Sequence, residues 1–166
     1  MARKPTWGLV RMDGTSKLHQ KLQKEREKVM EHKGILPLPV FTKGRGEKKR
    51  EHLVSLNNFF PMHYIQKNNV KRAYHNTVME WVKTLPKYKT IQPHYQLYFK
   101  TKHKRDIDNY TFPMHKFLMD ALVEGGVIED DHYNFVTKVT TEFGGLDTDN
   151  YVVVEIKGEE LGTEQE

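Results

Sequence analysis

The residues of this chain best suited to chemistry are acidic side chains in two short clusters. Asp106 and Asp108 are separated by one residue, and Glu129, Asp130 and Asp131 follow further along the chain. In an extended backbone, alternate side chains point to the same side about 6–7 Å apart, so Asp106 and Asp108 could share a hard divalent cation such as Mg²⁺. Taken alone, an Asp-x-Asp pair is more typical of a surface loop or a helix cap, and three consecutive acids are more typical of a solvated turn.

The surroundings of the two clusters favour a metal site. If the segments bearing Asp106 and Asp131 meet at one edge of a sheet, their carboxylates repel each other unless a cation neutralises them. Lys116 lies between the clusters and has two interpretations: a surface lysine paired with Asp120 at i,i+4, or a cation near a scissile phosphate. The nine histidines show no metal-ligand spacing, so none is assigned to a metal. Basic residues that would offset phosphate repulsion precede the first cluster: Lys100, Lys102, Lys104 and Arg105.

Hydrophobic periodicity predicts the elements that position these residues. Helices are expected over 70–85 and 111–124, the second with Pro113 in its first turn and Gly125-Gly126 at its end. The expected strands cover 35–41 (an edge strand interrupted by prolines), 53–60 (a strand or a strand followed by a turn) and 94–101. A hairpin is expected from 133–143, the turn 144–150, and 151–156. This order predicts an α/β (α+β) fold: a two-layer sandwich in which the helices pack on one face of a mixed β-sheet.

The chain is expected to divide into three segments. Residues 1–50 form a basic N-terminal extension, helical over 16–32 and ending in a glycine-containing basic loop; residues 51–158 form the folded domain; residues 159–166 form an acidic tail. The formal net charge of +5 therefore conceals an asymmetry, and the basic stretches favour a polyanionic partner. Cysteine is absent, which excludes disulfides and thiolate metal sites. The apolar runs are too short to cross a membrane, and the N-terminus lacks the apolar segment of a signal peptide, so a cytoplasmic protein is expected.

Several motifs together resemble one family. In order along the chain they are Arg105-Asp-Ile-Asp-Asn109, Lys116, Asp120-Ala-Leu122 and Asp130-Asp131, followed by a predicted strand. This series is similar to that of the RusA family of phage and bacterial Holliday-junction resolvases. Upstream, Ser55-Leu-Asn-Asn58 and the helix segment 73–78 also resemble family motifs, so that the resemblance covers roughly residues 53–157.

The resemblance implies roles for individual residues. Asp106, Asp108 and Asp131 would be catalytic metal ligands, and Lys116 would be the catalytic lysine. The resemblance assigns phosphate binding and carboxylate orientation to Arg105 and Asn109, and DNA contact or support of the site to Asn57 and Asn58. Further DNA contacts are expected from Lys102, Lys104, Lys71 and Arg72. One departure concerns Lys116, because residues 110–115 insert about one turn, containing Pro113, between Asn109 and this lysine.

The resemblance also implies an activity: a crossover junction endodeoxyribonuclease from a phage or prophage. It would cut branched DNA at a four-way junction by paired hydrolysis as a homodimer. The cofactor would be Mg²⁺, with Mn²⁺ as a substitute, and no small-molecule cofactor or membrane is expected. The site of action would be the cytoplasm of a bacterial or phage-infected cell. Two alternatives stay open: a nuclease with broader specificity for flaps and forks, and a non-catalytic nucleic-acid-binding module.

Overall fold

The structure is a computed structural model and describes residues 29–162. Its elements, in chain order, are β1 (Val29–Pro37), β2 (Val40–Lys43), β3 (Arg50–Leu53), α1 (Leu56–Phe59), α2 (Tyr64–Val82), β4 (Tyr88–Phe99), α3 (Ile107–Glu124), β5 (Thr140–Leu146) and β6 (Tyr151–Glu160). A short 3₁₀ turn, Gly46–Lys48, joins β2 to β3. No helix in this part of the chain is both long and apolar enough to cross a membrane.

Four strands form one mixed sheet in the order β1-β6-β4-β5. Strand β6 runs antiparallel to both of its neighbours, whereas β5 runs parallel to β4. Strands β2 and β3 form a separate antiparallel hairpin. Tyr95, Leu97 and Phe99 of β4 are buried while the residues between them are partly exposed, so one face of the sheet is covered and the other is open.

Helices α2 and α3 cover the buried face. In α2 the buried residues recur every fourth position at Val70, Tyr74, Val78 and Val82, which gives the helix one apolar stripe. Phe117 of α3 packs against the other two helices: its ring centroid is 6.1 Å from that of Tyr74 in α2 and 5.4 Å from that of Phe59 in α1. The predicted α+β sandwich with helices on one face is therefore confirmed.

The predicted hairpin of 133–143 with 151–156 is wrong. Strand β5 begins only at Thr140 and pairs with β4, and β6 lies on the opposite side of β4. The connection crosses the end of β4, where the Asp147 N–H donates to the Phe99 carbonyl (3.0 Å) and the Lys100 N–H donates to the Asn150 side chain (2.9 Å). Alternating polarity predicts the face that a strand buries but not its partner, which explains the error.

The N-terminal region also departs from expectation. Of the helix predicted over 16–32, the part up to residue 28 lies outside the described residues. Residues 29–32 belong to β1, so the prediction of a helix is wrong for these four residues. In β1, His32 lies opposite Ile156 and its ring hydrogen-bonds the Tyr88 hydroxyl. The four-stranded sheet thus includes part of the segment predicted to be an extension, and β6 continues to Glu160, within the predicted tail.

Other boundaries shift for local reasons. The expected strand over 53–60 is wrong, because β3 ends at Leu53 and helix α1 follows. The two long helices are confirmed but begin earlier, at Tyr64 and Ile107. Pro113 consequently lies within α3 rather than in its first turn, and the Gly125-Gly126 end of the helix is confirmed by the positive φ of 70° at Gly126.

Candidate functional site

The first acidic cluster lies where helix α3 begins. Asp106 is the N-cap residue and Asp108 belongs to the first turn, so the extended backbone expected for this pair is wrong. Both side chains are exposed, and Asn109 connects them: its side-chain nitrogen is 3.3 Å from Asp106 Oδ2, and its backbone N–H donates to Asp108 Oδ1 at 3.0 Å. The unpaired N–H groups of a helix start attract negative charge, so this is a favourable position for two carboxylates.

A lysine–aspartate pair lies further along the same helix. Lys116 Nζ is 2.7 Å from Asp131 Oδ2 and 3.0 Å from Asp120 Oδ1. The hydrogen bond to Asp131 raises the pKa of Lys116, and the same bond holds the pKa of Asp131 below its ordinary value. Both groups are therefore charged at neutral pH. The predicted i,i+4 pairing of Lys116 with Asp120 is present, and the lysine also contacts the second acidic cluster. Its position near a scissile phosphate stays a prediction.

The pair extends into a chain of charges across two helices. Asp120 accepts a second lysine, because Lys71 Nζ of α2 lies 2.7 Å from its Oδ2 atom. Lys71, expected to contact DNA, is thus engaged with Asp120 and contributes to packing between α2 and α3. Its neighbour Arg72 is exposed on α2. The charges alternate from Lys71 through Asp120 and Lys116 to Asp131, so each carboxylate is balanced by a cation.

The two parts of the site are separated along α3. Asp108 and Lys116 are eight residues apart, which corresponds to about 12 Å along a helix axis. Among residues 29–162, no group of three or more acidic or histidine side chains is arranged to hold a metal ion. The structure brings Asp131 to Lys116 instead of assembling it with Asp106 and Asp108 as one ligand group. Their joint metal binding stays a prediction, supported by an all-oxygen donor set of the kind that Mg²⁺ and Mn²⁺ take.

Arg105 holds the segment that leads into the first acidic cluster. Its guanidinium lies over the Phe99 ring, 4.6 Å from the centroid, and donates to the Thr101 carbonyl (2.8 Å), the Thr101 hydroxyl (2.6 Å) and the His103 carbonyl (3.1 Å). These contacts fold the segment between β4 and α3 into a fixed shape. Its predicted phosphate contact therefore depends on the remaining donors, whereas Lys102 and Lys104 are exposed on the same segment.

The two asparagines before α2 differ in their surroundings. Asn58 supports α1: its Oδ1 accepts from the Ser55 N–H at 2.9 Å, and its Nδ2 donates to the Leu53 carbonyl at 2.8 Å. Asn57 is exposed and so has an accessible side chain. Asn58 therefore supports the start of α1, and the predicted contacts of both asparagines with DNA or with the site stay predictions.

Sequence reasoning missed a partly buried histidine beside the lysine pair. His115 Nδ1 lies 2.7 Å from the Tyr95 hydroxyl. Burial lowers the pKa of His115, while the charge of Asp131 opposes this shift and Lys116 adds to it. The inward position of Tyr95 follows from the alternation in β4, but its contact with His115 requires the packing of α3 on the sheet, for which the sequence carries no direct signal.

The structure thus combines an α+β fold with acidic and basic side chains concentrated around helix α3. The family model described as endodeoxyribonuclease RusA matches residues 43–157, which is most of the chain and contains every candidate site residue. The chain therefore belongs to the RusA family. No curated protein matches it. Membership indicates a DNA hydrolase, and nucleases of this family depend on divalent metals and bind branched DNA junctions.

Proposed function

We propose that this protein resolves Holliday junctions by paired, Mg²⁺-dependent hydrolysis of phosphodiester bonds, with Mn²⁺ as a substitute. The observation that carries the proposal is that the family match includes Asp106, Asp108, Lys116 and Asp131 on one helix and the turn that follows it. Asp106, Asp108 and Lys116 are exposed and Asp131 is partly exposed, so a DNA strand can reach all four side chains.

In this proposal Asp106, Asp108 and Asp131 would hold the cation, and the chemistry that a bound cation would supply is activation of water and polarisation of the phosphoryl oxygen. Asn109 keeps the first two carboxylates in place through the contacts described above. Lys116 is protonated at neutral pH and supplies a positive charge that offsets the negative charge developing on the phosphate. The exposed cations Lys102, Lys104 and Arg72 bind backbone phosphates, and Asn57 contacts the DNA beside them.

Two symmetric nicks require two sites related by a two-fold axis, so we propose that the active form is a homodimer. The open face and the edges of the four-stranded sheet leave room for a second copy. Selection of the junction then comes from the backbone geometry of the four arms, and contacts with bases select the position of cleavage.

The test compares cleavage of three DNA substrates: a synthetic four-way junction, a flap and a linear duplex, each with Mg²⁺ and with EDTA. We expect symmetric nicks in the junction with Mg²⁺ alone. The Asp108→Asn variant should bind the junction and fail to cut it, while the matched control Asp149→Asn, at an exposed loop carboxylate, should cut normally. Equal cleavage of flap and junction would replace the proposal with the broader branched-DNA nuclease. Binding without nicks at any Mg²⁺ concentration would indicate the non-catalytic binding module.

A further inference from the structure

A cavity of about 510 Å³ lies directly beside the first acidic cluster, between the β4–α3 segment and the edge strand β5. Its apolar walls are Phe99, Ile107, Phe143 and Leu146. Ile107 is the residue between Asp106 and Asp108, and Arg105 precedes them, so two of the lining residues are sequence neighbours of the proposed metal ligands. Lys102, Lys104 and Arg105, already assigned to phosphate contacts, line the cavity, but no role assigned so far uses its apolar walls.

Two of the four apolar wall residues, both on β5, are accessible, whereas Phe99 is buried. Phe143 and Leu146 are 52% and 49% exposed, although both are large and hydrophobic. The rings of Phe143 and Phe99 are nearly parallel, with an interplanar angle of 17° and centroids 6.4 Å apart. Exposed apolar surface of this kind has a free-energy cost in water, and it commonly marks a binding site.

The rim of the same cavity is cationic. Its charged lining residues are Lys102, Lys104 and Arg105, and Arg105 is held against Phe99 by the contacts described above. An occupant that matches flat apolar walls and a positive rim is a planar group attached to an anion. A nucleotide meets both requirements, because its base can pack on the exposed Phe143 ring while its phosphate lies among the lysines.

We propose that the cavity receives an unpaired nucleobase from the strand being cut, next to the scissile phosphate at the branch point. This rests on the proposed function and deepens it. A base pair within a duplex arm cannot enter a cavity of this size, whereas a base at a branch point is already partly unstacked and costs less to displace. The cavity would thereby favour branched DNA over continuous duplex and would hold the phosphate beside Asp106 and Asp108.

The experiment uses four-way junctions that carry 2-aminopurine either at the branch point or within an arm, bound to the full-length protein in Ca²⁺ without cleavage. We expect the fluorescence to rise on binding only for the branch-point probe. Phe143→Ala should abolish this rise and weaken junction binding by about 5- to 150-fold, the range of a lost base–aromatic contact. Leu146→Ala, which removes an aliphatic wall of the cavity, should reduce the rise and weaken binding by less. Phe143→Tyr should retain it. Val139→Ala is the control, at an apolar residue that is 45% exposed and outside the cavity lining.

The outcomes separate this proposal from the nuclease proposal. Equal signals from both probes would overturn the proposal that the cavity binds a base. The same holds if both alanine variants bind the junction and fluoresce as the wild type does. Neither result would bear on the nuclease proposal. A branch-point signal without any Mg²⁺-dependent nicks would retain the cavity and refute the nuclease. If the alanine variants change the oligomeric state measured by light scattering, with unchanged fluorescence, the cavity is an interface between two copies and the proposal fails. Thermal melting of each variant establishes that it is folded.

Discussion

The Lys116–Asp131 pair should matter far more for cleavage than for stability. The side chains are 56% and 31% exposed, so water screens their attraction despite the 2.7 Å contact. An ion pair of this exposure contributes about 0.2–1 kcal/mol to the free energy of unfolding. In contrast, removing a charge that is positioned on the transition state lowers the rate roughly 10²- to 10³-fold, equivalent to about 2.7–4 kcal/mol. We therefore expect Lys116→Met and Asp131→Asn to fold normally and to cut poorly.

A double-mutant cycle measures the contribution of the Lys116–Asp131 pair to stability, which is the first of the two quantities; the second is the rate of cleavage. Urea unfolding of wild type, Lys116→Met, Asp131→Asn and the double variant should give a coupling energy of about 1 kcal/mol or less, and single-turnover cleavage of a junction measures the second. Lys33→Met is a matched control: Lys33 is 58% exposed and also contacts two carboxylates, Glu31 at 3.0 Å and Glu155 at 3.1 Å, away from the site. A coupling energy above about 2 kcal/mol, or cleavage by Lys116→Met within about threefold of wild type, would refute the reasoning.

Three further predictions concern folding. Gly34→Ala should lower the free energy of unfolding by about 1–3 kcal/mol, because a Cβ atom there overlaps the Trp81 ring, whereas Gly162→Ala, with open space around it, should change it little; urea titration measures both. Asn58→Ala should cost about 1–3 kcal/mol in the same assay, since the backbone N–H at the start of α1 loses its acceptor. Burial lowers the pKa of His115, so below about pH 6.5 the unfolded chain binds more protons at this residue and stability falls as the pH decreases. His115→Gln should weaken the dependence of the melting temperature on pH between pH 7.5 and 5. An unchanged dependence would contradict the assignment of this effect to His115.

The parts of the fold that the sequence predicted are those determined within one element. Apolar spacing gave the two long helices, and Gly125-Gly126 gave the end of α3. The i,i+4 contact of Lys116 with Asp120 is likewise a property of one helix. Contacts between distant segments could not be read in this way, because alternation along a strand is the same whichever neighbour it pairs with. This is why β5 was assigned to a hairpin.

The candidate site shows the same division. Residue types and their order identified both acidic clusters, Lys116 and the family to which the chain belongs. Their arrangement depended on where α3 begins: starting at Ile107, it turns Asp106 into a cap and puts about two helical turns between Asp108 and Lys116. The partners of Arg105 and the cavity beside it arise from the fold of the β4–α3 segment against β5, and only three-dimensional packing reveals them.

We propose above all that Asp106, Asp108 and Asp131 jointly bind the cation required for cleavage of branched DNA. Anomalous scattering from Mn²⁺ in crystals of the protein bound to an uncut four-way junction tests it most directly. We expect an anomalous peak coordinated by all three carboxylates, with Lys116 Nζ turned from Asp131 toward the phosphate. A peak held by other residues, or Asp131 still paired with Lys116 while Mn²⁺ binds elsewhere, would contradict it.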